Sequence, residues 1–108
     1  MAGDFVHLHV HTDSSMLDGA AGVTALVRKA SAADMRHLAI TDHGSMFGVM
    51  EFSKACKEAG ITPLVGAELY VAEASRHDRN ASEKRERNAH LVLIARDETG
   101  YRNLMKLC

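Results

Sequence analysis

Residues Phe5–His11 read FVHLHVH, with Val6, Leu8 and Val10 on one side of a period-2 pattern and His7, His9 and His11 on the other. Successive side chains of a strand leave opposite faces, so the spacing predicts a strand with one apolar face and one histidine face. The residues that follow are rich in turn formers, among them Asp13, Ser14, Ser15, Asp18 and Gly19. Val23, Leu26, Val27 and Ala30 then recur at i, i+3, i+4 and i+7, the stripe of an amphipathic helix.

The same alternation continues along the chain. His37-Leu38-Ala39-Ile40 predicts a second strand leading into Thr41-Asp42-His43-Gly44, and Phe52, Ala55, Cys56 and Ala59 mark a second helix ended by Gly60. Thr62-Pro63-Leu64-Val65 predicts a third strand before Gly66-Ala67-Glu68, with Leu69-Tyr70-Val71 continuing it. Pro63 fits at the strand's beginning, where no ladder hydrogen bond is lost. Residues 73–87 mix Arg76, Arg79, Lys84, Arg85 and Arg87 with Glu73, Asp78, Glu83 and Glu86, a balance that favours a solvated loop over a nucleic-acid groove. His90–Ile94 predicts a fourth strand, and Asp97 caps a last helix carrying Tyr101, Leu104, Met105 and Leu107.

Alternating strands and helices predict an α/β fold of βαβ-like units with a mainly parallel sheet. Pattern alone leaves a barrel and an open sheet both standing. Polarity separates them: His9, His11, His43, Glu68 and His90 lie at or near strands, most of them by C-terminal ends, where barrel enzymes collect their catalytic residues. A complete barrel takes roughly 200 or more residues, so residues 1–108 are expected to supply about half of one, cut before the barrel is complete.

Composition is that of an ordinary globular chain: 46% hydrophobic and 25% charged, with a formal net charge of -1, which gives no overall basic field to draw nucleic acid or an anionic membrane. Without a signal-peptide pattern or a span-length apolar run, the expected location is the cytoplasm. Cys56 and Cys108 stand far apart in helical patterns and read as structural. The unusual feature is seven histidines in so short a chain.

His9 and His11, two apart on one strand, send both imidazoles off the same face, close enough to share one metal ion or bridge two. Histidine nitrogen and carboxylate oxygen suit borderline-soft divalent ions such as zinc. A lone His-x-His is a weak signal, equally explained by the polar face of an edge strand. Two further elements raise its weight. Asp42-His43 at a strand end offers an imidazole ligand beside a carboxylate placed to orient a ligand ring or accept a proton, although Asp42 would also serve as a helix cap. Glu68 places a carboxylate among apolar neighbours, which is costly alone and compensated when metal-bound. His90 and Asp18 are further candidate ligands. His7 reads as structural, His37 as a surface turn and His77 as a loop residue.

Taken together, HLHVHTDSSMLDG (7–19), AITDHGSMFG (39–48), PLVGAELYV (63–71) and AHLVLIARDETGYRNLMKL (89–107) resemble, in order and spacing, the successive motifs of the polymerase and histidinol phosphatase (PHP) domain superfamily. The resemblance runs through essentially the whole chain. Gly100-Tyr101-Arg102-Asn103-Leu104 is similar to the branch that opens the α subunit of bacterial replicative DNA polymerases. The family implies a distorted (β/α)7 barrel with up to three metal ions at its C-terminal rim, zinc first, manganese or iron otherwise. It matches His9 and His11 to the first-motif ligands, His43 to the second, Glu68 to the bridging carboxylate, His90 to the next histidine and Asp18 to a loop ligand. Many relatives carry an aromatic where Ser14 stands.

The resemblance also implies a function. The parent protein is expected to be a DNA-directed DNA polymerase, with DNA, a proofreading exonuclease and a sliding clamp as partners and no membrane. Its metal site would perform 3′–5′ exonucleolytic or pyrophosphate-hydrolysing chemistry, or brace the subunit structurally. The alternative within the family is a free-standing phosphoesterase such as a histidinol-phosphate phosphatase. Residues 1–108 alone are expected to lack activity and, with an open sheet edge, to self-associate.

Overall fold

The computed structural model of the chain describes residues 5–15, 22–77 and 88–108. In chain order its elements are α1 (Val23–Ala32), β1 (His37–Ile40), α2 (Val49–Glu58), β2 (Thr62–Val71), β3 (Ala89–Ile94) and α3 (Glu98–Leu107). No helix among the described residues is long and apolar enough to cross a membrane.

The helices form where the stripes lie, and each ends for a local reason. Val23, Val27 and Ala30 of α1 are buried, with Leu26 packed beside them. α2 buries Val49, Phe52 and Cys56. It stops at Gly60, whose φ of +73° lets the Ile61 amide turn back to the Cys56 carbonyl at 2.8 Å while Gly60 N donates to Lys57 O at 3.3 Å. α1 ends the same way with Asp34 at φ +56°, and Met35 N donates to Ala30 O at 3.0 Å. Asp97 caps α3 as expected, its side chain accepting from Gly100 N at 2.9 Å.

β1 and β2 pair in parallel, His37 opposite Thr62 through Ile40 opposite Val65, with α2 as the crossover. Pro63 is the second residue of β2, as its missing amide requires. Leu38 and Ile40 face α1 and α2 within a core that also holds Phe52, Cys56 and Ile61, while Ala39 and Thr41 are buried as well. The interior of this unit is thus closed on both faces of β1, as parallel strands demand.

Two expectations need correction. The sheet, in the order β1-β2-β3, is mixed and not mainly parallel, because β3 runs antiparallel to the second half of β2, Gly66 opposite Ile94 through Val71 opposite Ala89. A parallel return needs a crossover element, and residues 72–77, the described start of the connection, hold turns and no helix. Residues 73–77 are exposed, in keeping with a solvated loop, and the rest of that charged segment lies outside the described residues.

The second correction concerns residues 5–11. They run extended beside β1, with Ala39 N donating to His7 O at 3.1 Å and Thr41 N to Val10 O at 2.8 Å, yet they are not a regular strand. The Val10 amide donates to the Thr41 hydroxyl at 2.8 Å, so a side chain takes the place of a ladder carbonyl. On the predicted apolar face of Val6, Leu8 and Val10, Leu8 is exposed and Val10 alone is packed against the core.

Candidate metal centre

β2 outlasts β1 by six residues in its register, since β1 ends opposite Val65 and β2 runs on to Val71. The chain after β1 follows β2 a little further. Glu68 N donates to Asp42 O and Gly44 N to Glu68 O, both at 2.9 Å, which brings His43 and Glu68 side by side as a parallel bridge. Glu68 therefore lies inside a long strand, not at a strand end as the sequence suggested, but at the C-terminal limit of its parallel half. Its side chain is only 6% exposed.

Four imidazoles surround that carboxylate. Oε2 faces His9 Nε2 at 3.0 Å, His11 Nε2 at 2.5 Å and His43 Nδ1 at 3.4 Å, while Oε1 faces His90 Nδ1 at 3.1 Å. His9 and His11 leave the same side of the extended segment, their ring centroids 4.9 Å apart, and His11 lies 4.1 Å from His43. His90 arrives by a different route. It is near the start of β3, and only because β3 runs antiparallel does that start lie beside Glu68, with His90 directly opposite Tyr70.

Burial pushes the Glu68 carboxyl up, but hydrogen bonds from His9, His11 and His90 and the charge of His43 outweigh it and hold it at about 2. The carboxylate is thus charged across the physiological range. Its ligand-type atoms form two overlapping groups, His9–His11–Glu68 and His43–Glu68–His90, each within 4.8 Å, with Glu68 common to both. Neutral imidazole nitrogens on either side of one shared carboxylate are a fitting donor set for two divalent ions.

Asp42 is placed differently from expectation. It is 1% exposed, and its oxygens accept from Thr12 N at 2.6 Å, Thr12 Oγ1 at 2.7 Å and Ser15 Oγ at 2.8 Å. Ser15 Oγ in turn accepts from His43 N at 3.1 Å. Asp42 therefore ties the end of the His-x-His segment to the His43 turn, and neither caps α2, whose N-cap is Gly48, nor turns its oxygens to open solvent. Asp18 lies outside the described residues. His7 is exposed against Leu26, Lys29 and Met35, His37 is the exposed first residue of β1, and His77 is exposed with its amide on Ser75 Oγ.

Sequence reasoning missed Tyr70. Its ring stacks on His43, with centroids 5.9 Å apart and planes 11° apart, and meets His90 edge-on at 4.8 Å. The available signal was its i+2 spacing from Glu68, which puts both side chains on one face of β2.

Comparison with known proteins agrees with this architecture. The sequence profile of the PHP domain matches residues 7–108. The chain belongs to the PHP domain family. Among curated relatives, the PHP chain is 52% identical over 103 residues to the DNA polymerase III subunit alpha of Treponema pallidum, and 46% identical over 103 residues to that of Borreliella burgdorferi. Each alignment takes in 95% of this chain and 9% of the relative, so this PHP chain spans about a tenth of their length. Among solved structures, an amidohydrolase from Chromobacterium violaceum, with bound sulfate and no metal, matches with a TM-score of 0.65 at 28% identity, over 94% of this chain and 32% of that one. A protein from Bifidobacterium adolescentis, assigned as a metal-dependent phosphoesterase, shares the fold with a TM-score of 0.64 at 23% identity, over 94% of this chain and 32% of that one.

Proposed function

We propose that this chain carries the metal-binding half of a phosphoester-hydrolysing PHP site within a bacterial DNA polymerase III α subunit. The observation that carries the reading is Glu68, a buried carboxylate shared between two histidine groups. Its likeness to polymerase subunits favours this over a free-standing phosphatase. Polymerase activity, and with it contact to DNA, a proofreading exonuclease and a sliding clamp, is proposed for the whole protein and not for residues 1–108. The remainder of a (β/α)7 barrel would complete the rim, and zinc is the proposed native ion.

Ions held here would lower the pKa of a bound water and neutralise charge on a phosphate. The chain's own residues fix where that happens. Glu68 would tie the two groups together, because its Oε2 faces His9, His11 and His43 and its Oε1 faces His90. His9 and His11 hold one side, and His43 and His90 the other. Asp42 keeps the two segments bearing His11 and His43 in register through Thr12 and Ser15. In-line hydrolysis tolerates little misplacement, with errors costing on the order of 100-fold in rate.

The test measures metal content and phosphoester hydrolysis in the purified full-length protein. His9→Ala with His11→Ala should remove much of the bound metal, and Glu68→Ala should abolish hydrolysis, whereas His77→Ala should leave both intact. Metal content unchanged by the double substitution would sink the site assignment.

A further inference from the structure

Given the metal-binding reading proposed above, we infer that Tyr70 is a positioning residue for one half of the site, the group made by His43, Glu68 and His90. Three independent features of the strand arrangement place it there. It stands two residues after Glu68, so both side chains leave the same face of β2. It is directly opposite His90 in the antiparallel ladder, where facing side chains are in contact range. Its ring then lies parallel to the His43 ring, 11° between planes, and at 86° to that of His90.

One aromatic ring thus fixes the planes of both imidazoles in this group. His43 and His90 meet each other at 84° with centroids 5.7 Å apart, so the ring completes a three-ring cluster in which each member limits the rotation of the other two. An imidazole ligates only along the in-plane axis of its nitrogen, so holding the ring plane holds the direction of the bond. The hydroxyl, 3.4 Å from His43 Nδ1, is too long a contact to dominate. Tyr70 has no ring contact with His9 or His11 among the described aromatic pairs. Its ring contacts are therefore with the residues that would hold one ion, His43 and His90.

The experiment is a titration of metal-stripped, full-length protein with cobalt(II), followed by calorimetry and by the visible absorption of the bound ion. His90→Ala identifies the class of binding that depends on this group. Tyr70→Ala should weaken that same class about 10-fold, as loss of a ligand-orienting partner does, and shift its absorption band while leaving the other class unchanged. Tyr70→Leu, which fills the volume without an aromatic face, should behave like the alanine variant, and Tyr70→Phe should retain the wild-type titration. Unchanged binding in Tyr70→Ala, equal loss of both classes, or a phenylalanine variant as damaged as alanine would each overturn the inference. Wild-type protein that takes up no cobalt would remove the metal-binding reading itself, and the role of Tyr70 with it.

Discussion

Thr12 and Asp42 are joined twice, the Thr12 amide donating to Oδ1 at 2.6 Å and its hydroxyl to Oδ2 at 2.7 Å. Both residues are fully buried, and Ser15 adds another bond to the same carboxylate. Hydrogen bonds to a buried charge are worth more than neutral ones, and each partner left unsatisfied costs further. Asp42→Ala should therefore destabilise the fold by roughly 3 kcal/mol, and Asp42→Asn by less, because the amide keeps one acceptor. Urea denaturation checks this. Wild-type stability in Asp42→Ala would show that the clamp contributes nothing.

Gly66 is required by close approach of backbone. A Cβ there would lie 2.4 Å from the Leu93 carbonyl oxygen, which belongs to the facing strand and cannot rotate away. Gly66→Ala should force β2 and β3 apart at a cost of about 1–3 kcal/mol, and should also move His90 away from Glu68. Thermal unfolding and metal uptake are predicted to fall together; loss of one without the other would separate the strand contact from the site.

Asp34 offers a change in the opposite direction. It occupies the left-handed region at φ +56° with the ordinary helix-ending bonds already made. Asp34→Gly removes a side-chain clash that glycine lacks, and should stabilise the protein by up to about 1 kcal/mol. A lower melting temperature in this variant would mean that the carboxylate makes a contribution larger than the strain.

The pH dependence of the metal-free protein follows from Glu68. Its folded value of about 2 lies below the ordinary 4.5, so the stability it contributes is present above pH 4.5 and is lost as pH falls toward 2. Denaturation of wild type and Glu68→Gln across this range should give curves that differ near neutrality and converge in acid. A constant difference down to pH 2 would show that the carboxylate is not held charged by its imidazoles.

Cys56 is fully buried, and burial pushes its thiol up to about 11, whereas Cys108 is exposed. The thiolate is the reactive form. A thiol reagent at pH 8 should therefore modify Cys108 in the native state and Cys56 only after denaturation, as peptide mapping would report.

Residues 1–108 should self-associate when isolated. Phe5 and Leu8 are exposed, as are Leu91 and Ile94 on β3. Exposed apolar side chains and an unpaired strand edge invite a second chain. A sharp monomer by light scattering at micromolar concentration would count against this.

The sequence by itself determined the three helices, the caps at Gly60 and Asp97, the parallel pairing across α2 and the identity of the ligand candidates. All of these rest on short-range rules: a 3.6-residue stripe, a backbone that needs positive φ, a carboxylate three residues before an amide. Only the tertiary structure decided the direction of β3, and with it why His90, near a strand start, meets Glu68 from β2. Strand direction depends on whether the connection crosses the sheet, and a mixed-charge segment carries no periodic signal of its path. Asp42 shows the same limit, since its identity was legible but its partners, Thr12 and Ser15, lie 30 and 27 residues away and are chosen by packing. Tyr70 looked like an ordinary strand residue until the register set it between two imidazoles. Which side chains a residue meets across a sheet is fixed by register, and register is a property of the folded pair of strands, not of either one.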